Sequence, residues 1–260
     1  MPFHDSGGVR YFTFDSLDAY GLRHGVVGRR GGVSPAPWKS LNLGGTVGDA
    51  PKRVAENRRR AFDALGLRLS SAFDVWQVHS ADIVLAEEPR ASQPIVQADA
   101  ILTRRQGVTL FMRFADCVPV LLFDPARRAV GLVHAGWLGT VRRTLSAAIR
   151  AMVQSFGTKP EELLAGIGPS IGPDHYAVRE DVVGQIRSSL GPSAENHLRA
   201  RDGSVHLDLW SASRALLEAE GVRKIEVAGL CTACDTAEWF SHRAEAGKTG
   251  RFGAVISLET

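Results

Sequence analysis

The residue types with the greatest chemical reach are His79 in "WQVHSADIV", Cys117 in "ADCVPVLLFDP" and His134 in "GLVHAGWLGT". Each lies at the edge of a strand-like apolar run, where polar groups from separate strands can converge. Two neutral imidazoles and one thiolate make three protein ligands, which suits a catalytic zinc with its fourth position open. The same residues also suit a metal-free site, with Cys117 as nucleophile, His134 or His79 as base, and Asp99 or Asp116 orienting it. Cys117 as a plain core residue between hydrogen-bonded histidines fits the pattern as well, so residue types alone leave all three readings open. Copper is the weaker metal candidate, because Met112 is the nearest methionine for an axial position and there is no His-x-His pair.

Other stretches carry weaker signals. "CTAC", Cys231 to Cys234, has the spacing of half a zinc ribbon or a redox pair, without a second Cys-x-x-C. "GIGPSIG", Gly166 to Gly172, lacks the following helix of a dinucleotide fingerprint and reads as a turn beside a pocket. "FSHRAEAGKTGR" groups His242, Arg243, Lys248 and Arg251, and Arg29 and Arg30 stand beside Gly31 and Gly32; either loop could bring cations to an anionic substrate.

These residues need a rigid frame. Short apolar runs over 83–86, 98–103, 108–113, 118–124 and 129–134 predict strands in a sheet covered on both faces. The Gly- and Pro-rich stretch 25–48 predicts a long functional loop, followed by a helix capped by Asp49 with Arg58, Arg59 and Arg60 on its solvated side. An amphipathic helix from Val141 to a stop at Gly157, helices over 180–190 and 209–220, and strands over 224–230 and 252–258 complete the order. The expectation is one α+β domain over 1–260, a mixed sheet core flanked by helices.

The hydrophobic share of 44%, with no apolar run long enough for a span, predicts a protein away from membranes. A net charge of +3 arises from scattered Lys and Arg, so no nucleic-acid partner is expected. Three cysteines are too few for a disulfide framework, and the first residues lack a signal-peptide pattern, which places the expectation in a reducing cytoplasm.

Taken in order, "RRGGVS...SLNLGGTVGD...ENR", "QVHS", "ADAILT", "ADCVPVLLFDP", "VHAGWLGT", "IGPSIGP" and "FSHRAEAGKTGR" resemble one family across almost the whole chain. It is the laccase-like family once labelled polyphenol oxidoreductase, now regarded as purine nucleoside phosphorylases with adenosine deaminase activity, and it includes bacterial peptidoglycan editing factors. The resemblance implies zinc on His79, Cys117 and His134. It also implies phosphorolysis of adenosine, inosine, guanosine and methylthioadenosine, with purine nucleosides and inorganic phosphate as partners. Within that reading Arg29, Arg243 and Arg251 are candidates for a phosphate cradle, with Arg243 assigned a catalytic part. Asn42 and Gln77 could bond sugar or base edges, and Asp99 could carry a proton or orient a histidine. The chain departs from the family pattern at Leu138, Ala177 and Ala244.

Overall fold

The computed structural model describes residues 2–91 and 93–258. Its first half contains β1 (Phe3–Ser6), β2 (Val9–Phe12), α1 (Asp15–Asp18), β3 (Arg23–Val27), α2 (Pro51–Ala64), β4 (Ala72–Asp74), β5 (Ile83–Leu85), β6 (Ala100–Thr103) and β7 (Thr109–Phe114). The second half contains β8 (Val118–Asp124), β9 (Ala129–Ala135), α3 (Trp137–Val141), α4 (Thr144–Phe156), β10 (Leu164–Ile167), β11 (Ala177–Val178), α5 (Glu180–Leu190), β12 (Leu198–Arg201), β13 (Ser204–Leu207), α6 (Leu209–Ala219), β14 (Lys224–Val227) and β15 (Phe252–Ser257).

The class is α+β, but the strands divide into two large mixed sheets and not one. One sheet runs β1-β2-β3-β15-β7-β4, the other β14-β10-β8-β9-β6-β5, and β11-β13-β12 form a small third. Alternation along β8 explains the layering. Leu121 and Phe123 point into a core shared with Phe114, Phe252 and Ile256 of the first sheet, while Val120 and Leu122 point the other way, onto Leu145, Ile149 and Met152 of α4. On the far side of the first sheet, Val27, Phe111 and Val255 pack against Phe62 of α2. The order is therefore helix, sheet, sheet, helices, and β8, buried at every position, is apolar from Val118 to Phe123 and closes on Asp124, whose carboxylate accepts from Ala126 N and Arg127 N. Each such apolar side chain taken fully from water contributes about 1.5–3 kcal/mol.

Three expectations about local structure need correction. Gly25 to Val27 belong to β3, not to the long loop. Asp49 does not cap α2: its N-cap is Ala50, with no side-chain cap, because the Asp49 carboxylate accepts from Ser34 and Asn42 inside the preceding loop. The helix expected from Val141 begins instead at Thr144, because Arg143 takes a left-handed φ of 56° and splits α3 from α4. The stop at Gly157, with φ 69°, is as expected.

Gly166 of β10 sits where the two sheets meet, and a Cβ there would lie 2.8 Å from the buried Phe14 ring. Gly166→Ala should destabilise the fold by about 1–3 kcal/mol through overpacking, measured as a lowered urea midpoint with unchanged slope.

Candidate metal centre

His79, Cys117 and His134 converge: one ligand atom from each lies within 4.8 Å of the others. The convergence follows from the sheet arrangement. In the antiparallel β8–β9 pair, Pro119 stands opposite His134, and Cys117 is the residue just before β8. His134 shares its face of β9 with Val130 and Leu132, so its ring enters the layer between the sheets and lies 5.5 Å from Phe114 of β7. His79 comes from the segment that leaves β4 in the first sheet and enters β5 in the second.

Asp99, the residue before β6, holds this arrangement. Its Oδ1 accepts from His134 Nδ1 at 2.8 Å, and its Oδ2 accepts from Val78 N, Ser80 N and the Ser80 hydroxyl. That bond fixes the His134 tautomer and leaves Nε2 for the centre. The left-handed backbone at His79, φ 57°, is clamped from its carbonyl side as well. Arg142 donates to His79 O, and the Thr144 hydroxyl donates to Ser80 O at 2.8 Å. The break between α3 and α4 sets these two donors. Gly136 completes the fit, since a Cβ there would stand 2.7 Å from Cys117 Sγ.

The second organiser is Asp116, whose φ is 84°. Its carboxylate accepts from the hydroxyls of Thr232 and Ser241, each at 2.7 Å, and from Arg243 N at 2.7 Å. One buried side chain thus ties Cys117 to two distant loops.

Electrostatically, burial opposes ionisation of Cys117, but His134 and then His79 overcome it and bring the thiol down to about 6. Burial likewise opposes charge on His134, while the Cys117 sulfur and Asp99 raise it to about 9. Without an ion the pair is a thiolate facing an imidazolium; a soft or borderline divalent ion would displace the His134 Nε2 proton, leaving one thiolate and two imidazoles, with His79 Nε2 3.9 Å from the sulfur, as its donor set.

The centre opens into a cavity of about 590 Å3 lined also by Trp76, Gln77, Trp137, Tyr176, His242, Arg243 and Arg251. The other sequence-derived candidates divide as follows. Arg243 lies on the cavity wall over the Tyr176 ring, with Nη1 donating to the carbonyls of Ala177 and His175. This contact uses the main chain at Ala177, so it does not depend on the side chain there. Arg251 also lines the cavity, and burial lowers its pKa. The Gln77 amide reaches the wall but bonds in both directions to the Arg113 backbone.

Arg29, Asn42 and Asp99 do not line this cavity. The Arg29 guanidinium donates to Lys39 O, Thr236 O and Trp239 O, pairs with Glu245 and stacks on Phe240. Asn42 is fully buried and ties Gly44, Asp49 and Arg251 N together. Asp99 is fully buried with both oxygens engaged, one by His134 and the other by the backbone beside His79.

Sequence reasoning missed Arg58. It was expected on a solvated helix face, but its guanidinium folds over Phe111, donates to Leu43 O and lines the cavity, and burial with neighbouring Arg113 lowers it to about 10. The only sequence signal was its place beside the glycine loop. Arg58 and Arg251 have no carboxylate partner within salt-bridge distance among the described residues, whereas Arg90 and Arg113 share Asp74.

Two outcomes test this geometry. Asp99→Asn, which keeps shape but loses the charged acceptor, should weaken metal affinity about 10–100-fold in competition with a chelating dye. In metal-free protein, Cys117 alkylation should follow the thiolate fraction, remaining fast above a midpoint near pH 6 and falling below it, as read by mass spectrometry against pH.

The family model described as multi-copper polyphenol oxidoreductase laccase matches residues 23–259. The chain is 41% identical to a purine nucleoside phosphorylase of Deinococcus radiodurans over 90% of this chain and 88% of that protein. It is 37% identical to the purine nucleoside phosphorylase YlmD of Geobacillus stearothermophilus over 89% of this chain and 88% of that one. The crystal structure of YlmD from the same organism superposes with a TM-score of 0.92 at 34% identity over 99% of each chain, and that of Bacillus licheniformis YfiH with 0.91 at 32%, also over 99% of each. The chain therefore belongs to the laccase-like polyphenol oxidoreductase family whose curated relatives bear the name purine nucleoside phosphorylase.

Proposed function

We propose that the chain is a zinc-dependent purine nucleoside phosphorylase that also deaminates adenosine, acting as one unit over its whole length. The observation that carries the reading is the joining, in one cavity, of the His79–Cys117–His134 donor set with two guanidiniums, Arg58 and Arg251, that have no carboxylate within salt-bridge distance among the described residues. The names of the relatives support the nucleoside class.

The donor set fits zinc: His79, Cys117 and His134 would hold it with the one thiolate and two imidazoles that suit a catalytic ion. Zinc held there would supply Lewis acidity and a water of pKa near ~7. The chain's own residues do the rest. Arg251, Arg58 and Arg243 hold phosphate by its oxygens, and the exposed Trp76 and the Tyr176 ring offer flat faces for a purine. In phosphorolysis the bond from ribose C1′ to the purine nitrogen breaks, a phosphate oxygen bonds to C1′, and the base leaves with a proton. His242, an imidazole of the wall outside the ligand set, is assigned to carry that proton. In deamination a water oxygen replaces the C6 amino group, which departs as ammonia. Adenosine, inosine, guanosine and methylthioadenosine all fall within this chemistry.

A second reading rests on one specific observation, the low Cys117 pKa beside His134 and Asp99, which is also the geometry of a metal-free cysteine hydrolase. A chelator separates the two, since it should abolish turnover only in the zinc reading.

Zinc-loaded protein given adenosine should release adenine only with phosphate present, and inosine without it. Cys117→Ala and His134→Ala should lose both products together with zinc. Arg251→Ala should raise KM for phosphate at least tenfold while largely sparing deamination. Normal zinc content and full turnover in either ligand variant, measured by elemental analysis and chromatography, would rule the site out.

A further inference from the structure

A second cluster lies outside the centre described above. We infer that His175, Cys231 and Cys234 form a separate zinc-binding site, which ties two loops of the cavity wall together. One ligand atom from each lies within 4.8 Å of the others.

The distances favour a shared ion over ordinary hydrogen bonds. His175 Nδ1 lies 3.7 Å from Cys231 Sγ and 3.5 Å from Cys234 Sγ. An imidazole nitrogen has a single in-plane lone pair or a single N–H, so it cannot bond well to two sulfurs. With Zn–S of about 2.3 Å and Zn–N of about 2.0–2.1 Å, a tetrahedral ion spaces nitrogen and sulfur by about 3.5 Å. Both separations are close to that edge.

The backbone is built for it. Cys231 forms a parallel bridge with Ser170, and Asp235 N donates to Cys231 O, so the turn between the cysteines presents both sulfurs on one side. Gly172 N donates to Cys231 Sγ at 3.1 Å, the kind of support that thiolate ligands receive from backbone amides. A Cβ at Gly172 would meet Cys231 at 3.1 Å, and His175 N closes the same turn onto Gly172 O. Cys234 and His175 are exposed, which leaves an entry path and a solvent-facing fourth position.

The position gives the site a purpose. Tyr176 follows His175, and Arg243 donates to the carbonyls of His175 and Ala177. Thr232, between the cysteines, donates to Asp116 beside Cys117. An ion here fixes the Tyr176–Arg243 wall from behind without touching the cavity. The inference does not depend on the catalytic reading.

Protein expressed with added zinc and purified under reducing conditions should retain one equivalent of zinc in Cys117→Ser, whether or not the first centre loads, and lose it when Cys234→Ser or His175→Gln is added, with circular dichroism confirming that each variant folds. With cobalt in place of zinc, a sulfur-to-metal charge-transfer band should persist in Cys117→Ser and weaken on adding Cys234→Ser. One equivalent that disappears in Cys117→Ser, no such band in that variant, or a Cys231–Cys234 disulfide in the intact mass would each overturn the inference.

Discussion

The 2.8 Å hydrogen bond from His134 to Asp99 is the interaction on which the site depends. A buried carboxylate is costly unless its oxygens are satisfied, and Asp99 meets that demand with one imidazole, two backbone amides and one hydroxyl. Satisfying the charge and arranging the site are the same act. The amides belong to Val78 and Ser80, on either side of His79, so the groups that stabilise the carboxylate are those that aim the two histidines. Asp116 repeats the device one segment away, with Cys117 and Arg243 as the groups it places.

This economy explains why the centre sits at the seam of two sheets. A strand end within a sheet can offer one or two side chains, whereas the layer between sheets collects them from β9, from the residue before β8 and from the crossing segment after β4. The packed cores on both sides of the second sheet hold β8 and β9 rigid. The cationic side of the cavity has a different origin. Arg58 comes from a helix on the outer face of the first sheet, and Arg251 from the residue leading into β15. Metal donors and guanidiniums thus approach the same space from different layers.

Much of the frame was legible in the sequence. The boundaries of β8 match the run 118–124, because residues 118–123, buried on both faces, are apolar without a break and Asp124 marks the turn that follows. Cys117 and His134 were identifiable as strand-end residues for the same reason. The division into two sheets was not legible, since an apolar run looks the same whichever sheet receives it. The break at Arg143 was hidden because Val141 continues the helical apolar spacing of α4, and tertiary contacts of Val141, Arg142, Arg143 and Thr144 hold the split. Arg58 was misread because a three-arginine run on a helix has the pattern of a solvated face. The meeting of His175 with "CTAC" is a contact between turns far apart in the chain, for which no periodicity exists.

The crossing segment that carries His79 gives the centre a thermodynamic role beyond chemistry. His79, Cys117 and His134 come from segments of both sheets and meet only when the sheets are docked, so an ion held by them would recognise the folded chain and not the unfolded one. The binding energy of such an ion would add to the free energy that holds the sheets together, growing with the logarithm of free ion concentration. The three side chains are therefore also a mark of docking: only a chain whose sheets have closed on one another presents them together.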